Sequence, residues 1–349
     1  IVNSLALFRT ITMPIVMTPL LLLGYDSIAL VIVSVSLNVI ALISASIYCY
    51  LSIKIKISFK EIDFCLFKDI SAYSFFILLN ILVDKLYAPT SQYILGVTTG
   101  TAAVAIYAIG IQLTTYFTSL STSLNSVFLP RITTLVINNK FKEISDIFIK
   151  IGRLQFLILI FVLSGFTLFG REFIVLWAGA DYINSYYIAL IIMIPSIIPL
   201  SQNMAIVILQ ARNQLKFRVI TYLVIAIFSV ALSYYLSAKY LEIGPAVSVA
   251  IATILGQIII MNVYYSRNIQ LNIIGYWKQI TPIIFKVFIF GLSVYVIKEY
   301  IDLNNNWGNL ALNISVYSIL YFIYMYVLVL NNYERSLIKS VYSFLRKKY

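Results

Sequence analysis

The chain has 349 residues, of which 61% are hydrophobic and only 11% charged, and its mean hydropathy is +0.95; such a composition excludes the soluble classes and fits an α-helical membrane protein. A formal net charge of +12 would suit a nucleic-acid binder, but the placement of the cations accounts for it, and no nucleic-acid partner is expected. Histidine is absent altogether, which removes the commonest general base and metal ligand, so neither a metal nor a cofactor is expected.

Crossing the hydrocarbon core takes about 20 mainly apolar residues in a helix, because only a helix satisfies its own backbone polar groups there. Ten stretches qualify in chain order: Leu5 to Gly24, Ile28 to Tyr50, Ile70 to Ala88, Ala102 to Phe128, Gly152 to Phe169, Ser185 to Leu209, Phe217 to Leu236, Gly244 to Tyr265, Pro282 to Val296 and Leu310 to Leu330. The expected fold is therefore an all-α polytopic bundle. Of the 25 Lys and Arg residues, twenty fall in one alternate set of gaps and the C-terminal tail, while the other set holds only Arg171, Lys239 and Lys298. Cations resist translocation, so the first set and the tail are expected in the cytoplasm and the protein in a bacterial inner membrane. Cys49 and Cys65 map to that side, where thiols stay reduced, and no disulfide is expected.

The start of the first span, Asn3-Ser4-Leu5-Ala6-Leu7-Phe8-Arg9-Thr10-Ile11-Thr12, matches the start of the seventh, Asn213-Gln214-Leu215-Lys216-Phe217-Arg218-Val219-Ile220-Thr221, apart from one inserted residue. Internal symmetry of this kind predicts two bundles related by an axis along the membrane normal. Residues 1–53 are then the last two helices of an N-terminal lobe, 70–265 a complete six-helix lobe and 282–330 an appended pair. Residues 54–69 and 266–281 read as cytoplasmic amphipathic segments, and 331–349 as a basic cytoplasmic tail. Four further helices are expected ahead of the first. A beginning at Ile1, with no basic leader region, agrees with the chain being part of a longer protein.

Polar side chains at membrane depth are costly unless paired or hydrated, so each is a site candidate. Asp84 and Lys85 lie well along the third span, with Asn80 one turn before Asp84 on the same face. Gln112, Asn125, Gln155, Gln202, Asn203 and Gln257 add neutral donors and acceptors, as do Gln210 and Asn262. With the aromatic faces of Tyr107, Tyr116, Trp177 and Tyr186 they could hold sugars, or they could serve as glue between helices. The pairs Pro14 and Pro19, and Pro195 and Pro199, interrupt two spans.

Several strings, none specific alone, together resemble the Wzx-type polysaccharide flippases of the multidrug/oligosaccharidyl-lipid/polysaccharide exporter superfamily. They include Gln92-Tyr93-Ile94-Leu95-Gly96, Ser126-Val127-Phe128-Leu129-Pro130, Gly152-Arg153-Leu154-Gln155-Phe156, Phe173-Ile174-Val175-Leu176-Trp177-Ala178-Gly179-Ala180-Asp181-Tyr182 and Ile208-Leu209-Gln210-Ala211-Arg212-Asn213. The resemblance implies fourteen helices in two six-helix lobes plus a terminal pair. It also implies a transporter, not an enzyme, moving undecaprenyl-diphosphate-linked oligosaccharide repeat units to the outer leaflet by alternating access, for O-antigen or capsule. The implied partners are that lipid-linked oligosaccharide, membrane lipids, and the polysaccharide polymerase and chain-length proteins; the coupling ion, proton or sodium, stays open. Members often carry an acid where this chain has Ser91, a role that would fall to Asp84 here. For a lipid diphosphate, Arg9, Arg153 and Arg218 at the cytoplasmic edge are candidate ligands, since guanidinium donates two parallel hydrogen bonds, or else headgroup anchors. The alternatives are a cation-coupled multidrug exporter of the same fold and a polytopic enzyme of polysaccharide assembly.

Overall fold

The computed structural model describes residues 2–24, 27–48, 51, 64, 71, 74, 75, 78, 79, 90–122, 125–300 and 306–336. Among them all regular structure is helical. The chain divides into two units, Ile1–Asp69 and Ile70–Tyr349. In the first, α1 (Val2–Leu22) and α2 (Ser27–Tyr48) pack together as neighbours; Gly24, at φ 81°, supplies the left-handed residue after α1 that an L side chain resists.

In the second unit a helical segment at 90–98 (α3) leads through Gly100, at φ 98°, into α4 (Thr101–Thr122). Then come α5 (Asn125–Ile137), α6 (Phe141–Trp177), α7 (Asn184–Ser201), α8 (Met204–Ala211) and α9 (Leu215–Tyr240). Next, α10 (Ile243–Ala252) passes through a π-helical stretch, Thr253–Ile260, into α11 (Met261–Arg267). The unit closes with α12 (Ile273–Tyr300), α13 (Trp307–Leu328) and a short helix at 332–336 (α14).

Eight helical stretches among the described residues are long and apolar enough to cross a membrane, so the protein is an all-α polytopic membrane protein. They correspond to eight of the ten expected spans. The first expected span is α1, whose apolar run, Thr10–Leu20, is shorter and holds Pro14 and Pro19. Of the third, only residues 71, 74, 75, 78 and 79 are among the described residues. The expected fourth span is divided, α4 ending at Thr122 and α5 starting at Asn125, and the sixth is broken between α7 and α8.

α6 is the central post. Its 37 residues reach about 55 Å at 1.5 Å per residue, far beyond the roughly 30 Å hydrocarbon core. The hydropathic window for the fifth span stopped at Gly152, where charges begin, yet Ile144, Phe148 and Ile149 continue the buried stripe at helical spacing. α7, α12 and α13 pack on α6.

With lipid as solvent, close van der Waals packing and hydrogen bonds hold such helices together, because hydrocarbon competes with apolar contacts. Glycine marks the closest approaches: a Cβ on Gly110 would meet Ile188 Cγ2 at 2.6 Å, so α4 sits directly on α7. Two ion pairs tie α6 to the elements beside it. At one end Arg153 Nε meets Glu334 Oε1 at 2.6 Å while its Nη2 reaches Val329 O at 2.9 Å. At the other, Lys298 Nζ meets Glu172 Oε1 at 2.6 Å and also donates to Leu168 O. Residues 273–281, expected as part of a cytoplasmic amphipathic segment, are the first turns of α12, and Tyr276 and Ile280 there are fully buried.

Candidate functional site

Within the second unit the helices enclose a cavity of about 400 Å³. Its polar wall comes from Thr114, Thr118 and Thr122 of α4, Ser196 of α7, Gln202 and Asn203 at the α7–α8 break, Arg218 and Tyr222 of α9, Thr253 and Gln257 of the π-helical stretch and Tyr265 of α11. These lie in the C-terminal half of α4, the N-terminal half of α9 and the latter part of the 243–267 span, so the cavity sits toward the turns at 212–214 and 268–272.

Each part of the wall has a local cause. Thr114, Thr118 and Thr122 are spaced four apart and share one helix face. The hydroxyls of Thr114 and Thr118 donate to Gly110 O and Thr114 O, both at 2.9 Å, which leaves oxygen lone pairs for an incoming donor. Pro195 and Pro199 remove backbone donors from α7, and the helix ends at Ser201, with the break at Gln202 and Asn203.

Side chains fix that break. Ser121 Oγ donates to Leu200 O at 2.6 Å, Asn203 Nδ2 donates to Ser121 Oγ at 2.8 Å, and Gln155 Nε2 donates to Ser121 O at 3.3 Å. On the other side Gln202 Nε2 donates to Asn262 Oδ1 at 2.9 Å, and Asn262 Nδ2 to Ile258 O at 2.6 Å. The π-helical stretch carries Gln257 in the wall, and Gly256 beside it lets α9 approach, since a Cβ there would lie 3.0 Å from Ile225 Cγ1.

Arg218 is the one charged residue of the described wall. It is buried, and its guanidinium lies over the ring of Tyr222, Cζ 4.2 Å from the centroid. The described wall holds no carboxylate. Ile192, Pro199, Leu200, Ile206 and Val249 complete the wall, so the cavity sets amides, hydroxyls, two phenol groups and one planar cation among apolar side chains.

The structure brings together four of the residues singled out from sequence: Gln202, Asn203, Arg218 and Gln257. Gln155 is buried behind the wall as part of the Ser121 network. Gln112 does not line the cavity: two positions from Thr114 turn it about 200° around α4, and its amide instead donates to Tyr116 OH at 2.8 Å on the exposed side. Arg153 is not an open phosphate ligand either, because its guanidinium is committed to Glu334 and Val329 O. Asn80, Asp84 and Lys85 lie outside the described residues, as do the side chains of Arg9 and Asn125. Tyr107, Tyr116, Trp177 and Tyr186 are not in the wall; Tyr107 is fully buried and Trp177 stacks on Phe173. The threonine face of α4, Tyr222 and Tyr265 escaped the sequence reading, although the four-residue threonine spacing was a signal for the first.

A family model described as polysaccharide biosynthesis protein matches residues 2–187, which takes in α1 through the start of α7 and the whole threonine face. No curated protein and no solved structure matched the chain. The match spans more than half of the 349 residues, and with the multi-span helical architecture it shows that the chain belongs to this polysaccharide biosynthesis protein family.

Proposed function

We propose that the protein is a flippase that carries undecaprenyl-diphosphate-linked oligosaccharide repeat units from the inner to the outer leaflet of the bacterial cytoplasmic membrane, for O-antigen or capsule assembly, by alternating access. The observation that carries this reading is the chemistry of the cavity. Threonine hydroxyls and the amides of Gln202, Asn203 and Gln257 match the mixed donors and acceptors of sugars, and Tyr222 and Tyr265 add phenol groups to the lining. Arg218 supplies a planar fork for a phosphate or an acidic sugar.

The position of the cavity supports loading from the cytoplasm. It lies toward the turns flanked by Arg212, Lys216 and Arg267, and the positive-inside rule assigns that side to the cytoplasm. A cation-coupled multidrug exporter of the same fold is the alternative; the hydroxyls, amides and guanidinium that line the cavity support the flippase.

The test is the leaflet in which lipid-linked repeat units collect in a strain lacking the gene. The flippase reading expects accumulation on the inner leaflet and loss of surface polysaccharide. Normal surface polysaccharide in that strain contradicts it.

A further inference from the structure

A second concavity lies outside the polar cavity, on the flank where α13 crosses α6. It is a groove of about 630 Å³ walled by Leu154, Leu157, Phe161, Phe322, Tyr326 and their neighbours, with Glu334 among the lining residues. Both helices are long and apolar enough to cross the membrane, and Phe322, Ile323 and Val327 are exposed on the outside, so the groove faces hydrocarbon. An apolar groove there stays dry.

Three cations stand near its Glu334 end, Arg153, Lys150 and Arg335, and among the described residues only the first is paired with a carboxylate. Arg153 and Glu334 neutralise one another at 2.6 Å. Lys150 stands one turn before Leu154 on the same stripe of α6, its Nζ 5.6 Å from the ring centroid of Tyr333. Arg335 folds back onto the groove wall: its guanidinium lies over Tyr326, 5.5 Å from the centroid, its Nη2 donates to Val327 O at 3.0 Å, and its Nε is buried with no acceptor among the described residues. The ion pairs among the described residues include neither Lys150 nor Arg335.

We propose that this groove is a binding site for an anionic glycerophospholipid, with one acyl chain against α6 and α13 and the phosphate between Lys150 and Arg335. The occupant is a resident lipid, not cargo, because no residue of the groove lines the polar cavity. The groove is also short: its lining on α13, Tyr321 to Val327, covers about 9 Å, less than one leaflet, which suits part of an acyl chain and not a long isoprenoid. A single phosphate charge meets two cations at the headgroup level, where anionic lipids are attracted to Lys and Arg.

Native mass spectrometry of the full protein in mild detergent, titrated with phosphatidylglycerol, phosphatidylcholine or polyprenyl phosphate, tests this. Wild type is expected to retain phosphatidylglycerol over phosphatidylcholine by about 25-fold, or about fivefold for each cation. Lys150→Gln with Arg335→Gln should bring the two glycerophospholipids to parity, and Ile158→Trp, which fills the groove, should weaken both. Equal retention of the two by wild type overturns the proposal. Preferential retention of polyprenyl phosphate, which would make the groove a carrier-lipid site, also overturns it.

Discussion

The guanidinium of Arg218 lies over the ring of Tyr222, one turn further along α9, with Cζ 4.2 Å from the ring centroid, and both side chains line the cavity. The phenol face holds the cation in one orientation before any ligand arrives. A buried cation oriented in this way binds an anion with less ordering cost than a free side chain.

From that pair follows a graded series. Arg218→Gln should remove most surface polysaccharide at unchanged protein abundance, and Arg218→Lys should retain a part, since the charge survives but the planar fork does not. Tyr222→Leu should lower surface polysaccharide by roughly three- to tenfold through loss of the cation–π contact, whereas Tyr222→Phe should be close to wild type. Quantitative blotting of surface polysaccharide against membrane-protein abundance checks all four.

Arg153 and Glu334 behave as structure. Glu334 is buried and Arg153 partly so, and Glu334 also accepts from Asn331 N at 2.9 Å while Asn331 Oδ1 accepts from Glu334 N, a reciprocal cap for α14. Arg153→Met alone should destabilise by about 3–5 kcal/mol, because it leaves a buried carboxylate without its cation. Arg153→Met with Glu334→Leu should recover all but about 1 kcal/mol, the cost of the cap. Thermal unfolding in detergent reads both, and a double variant as unstable as the single one contradicts the assignment.

Gly110 sets the spacing of α4 and α7. Its Cβ would stand 2.6 Å from Ile188 Cγ2 and 3.1 Å from Ser185 O, so Gly110→Ala should destabilise by about 1–3 kcal/mol. Ile188→Ala added to it should restore part of the loss, measured as the shift in Tm.

Topology gives an independent check. In a background without Cys49 and Cys65, Lys140→Cys should not react with an impermeant thiol reagent applied to intact cells, and Ala180→Cys should. The reverse pattern would invert the protein and place the polar cavity on the outer side.

Much of the fold was legible because lipid leaves the backbone few choices: long apolar runs had to be helices, and α2, α9 and α13 lie where hydropathy put them. Hydropathy could not show where α6 ends, since Phe148 and Ile149 are buried by neighbours among charged residues that a membrane window rejects. The α7–α8 break was only half legible; Pro195 and Pro199 announced it, but bonds from Ser121, 79 positions away from Leu200, fix its place. In the site, the amides at 202, 203 and 257 stood out as polar groups in apolar surroundings. Gln112 stood out equally and faces the other way, because only the packing of α4 on α7 decides which side of the helix looks inward. Arg153 looked like a phosphate ligand because its partner, Glu334, is 181 positions distant.

The central claim, that the polar cavity carries the glycan across the membrane, is tested most directly by making the cavity apolar and following the substrate. Cells carrying Gln202→Leu with Gln257→Leu are to be compared with wild type for the rate at which lipid-linked repeat units reach the outer leaflet, at matched protein abundance. With each lost hydrogen bond worth about 1 kcal/mol, the rate should fall by about tenfold or more and the units should collect on the inner leaflet. Outer-leaflet appearance at the wild-type rate in this variant would contradict the account.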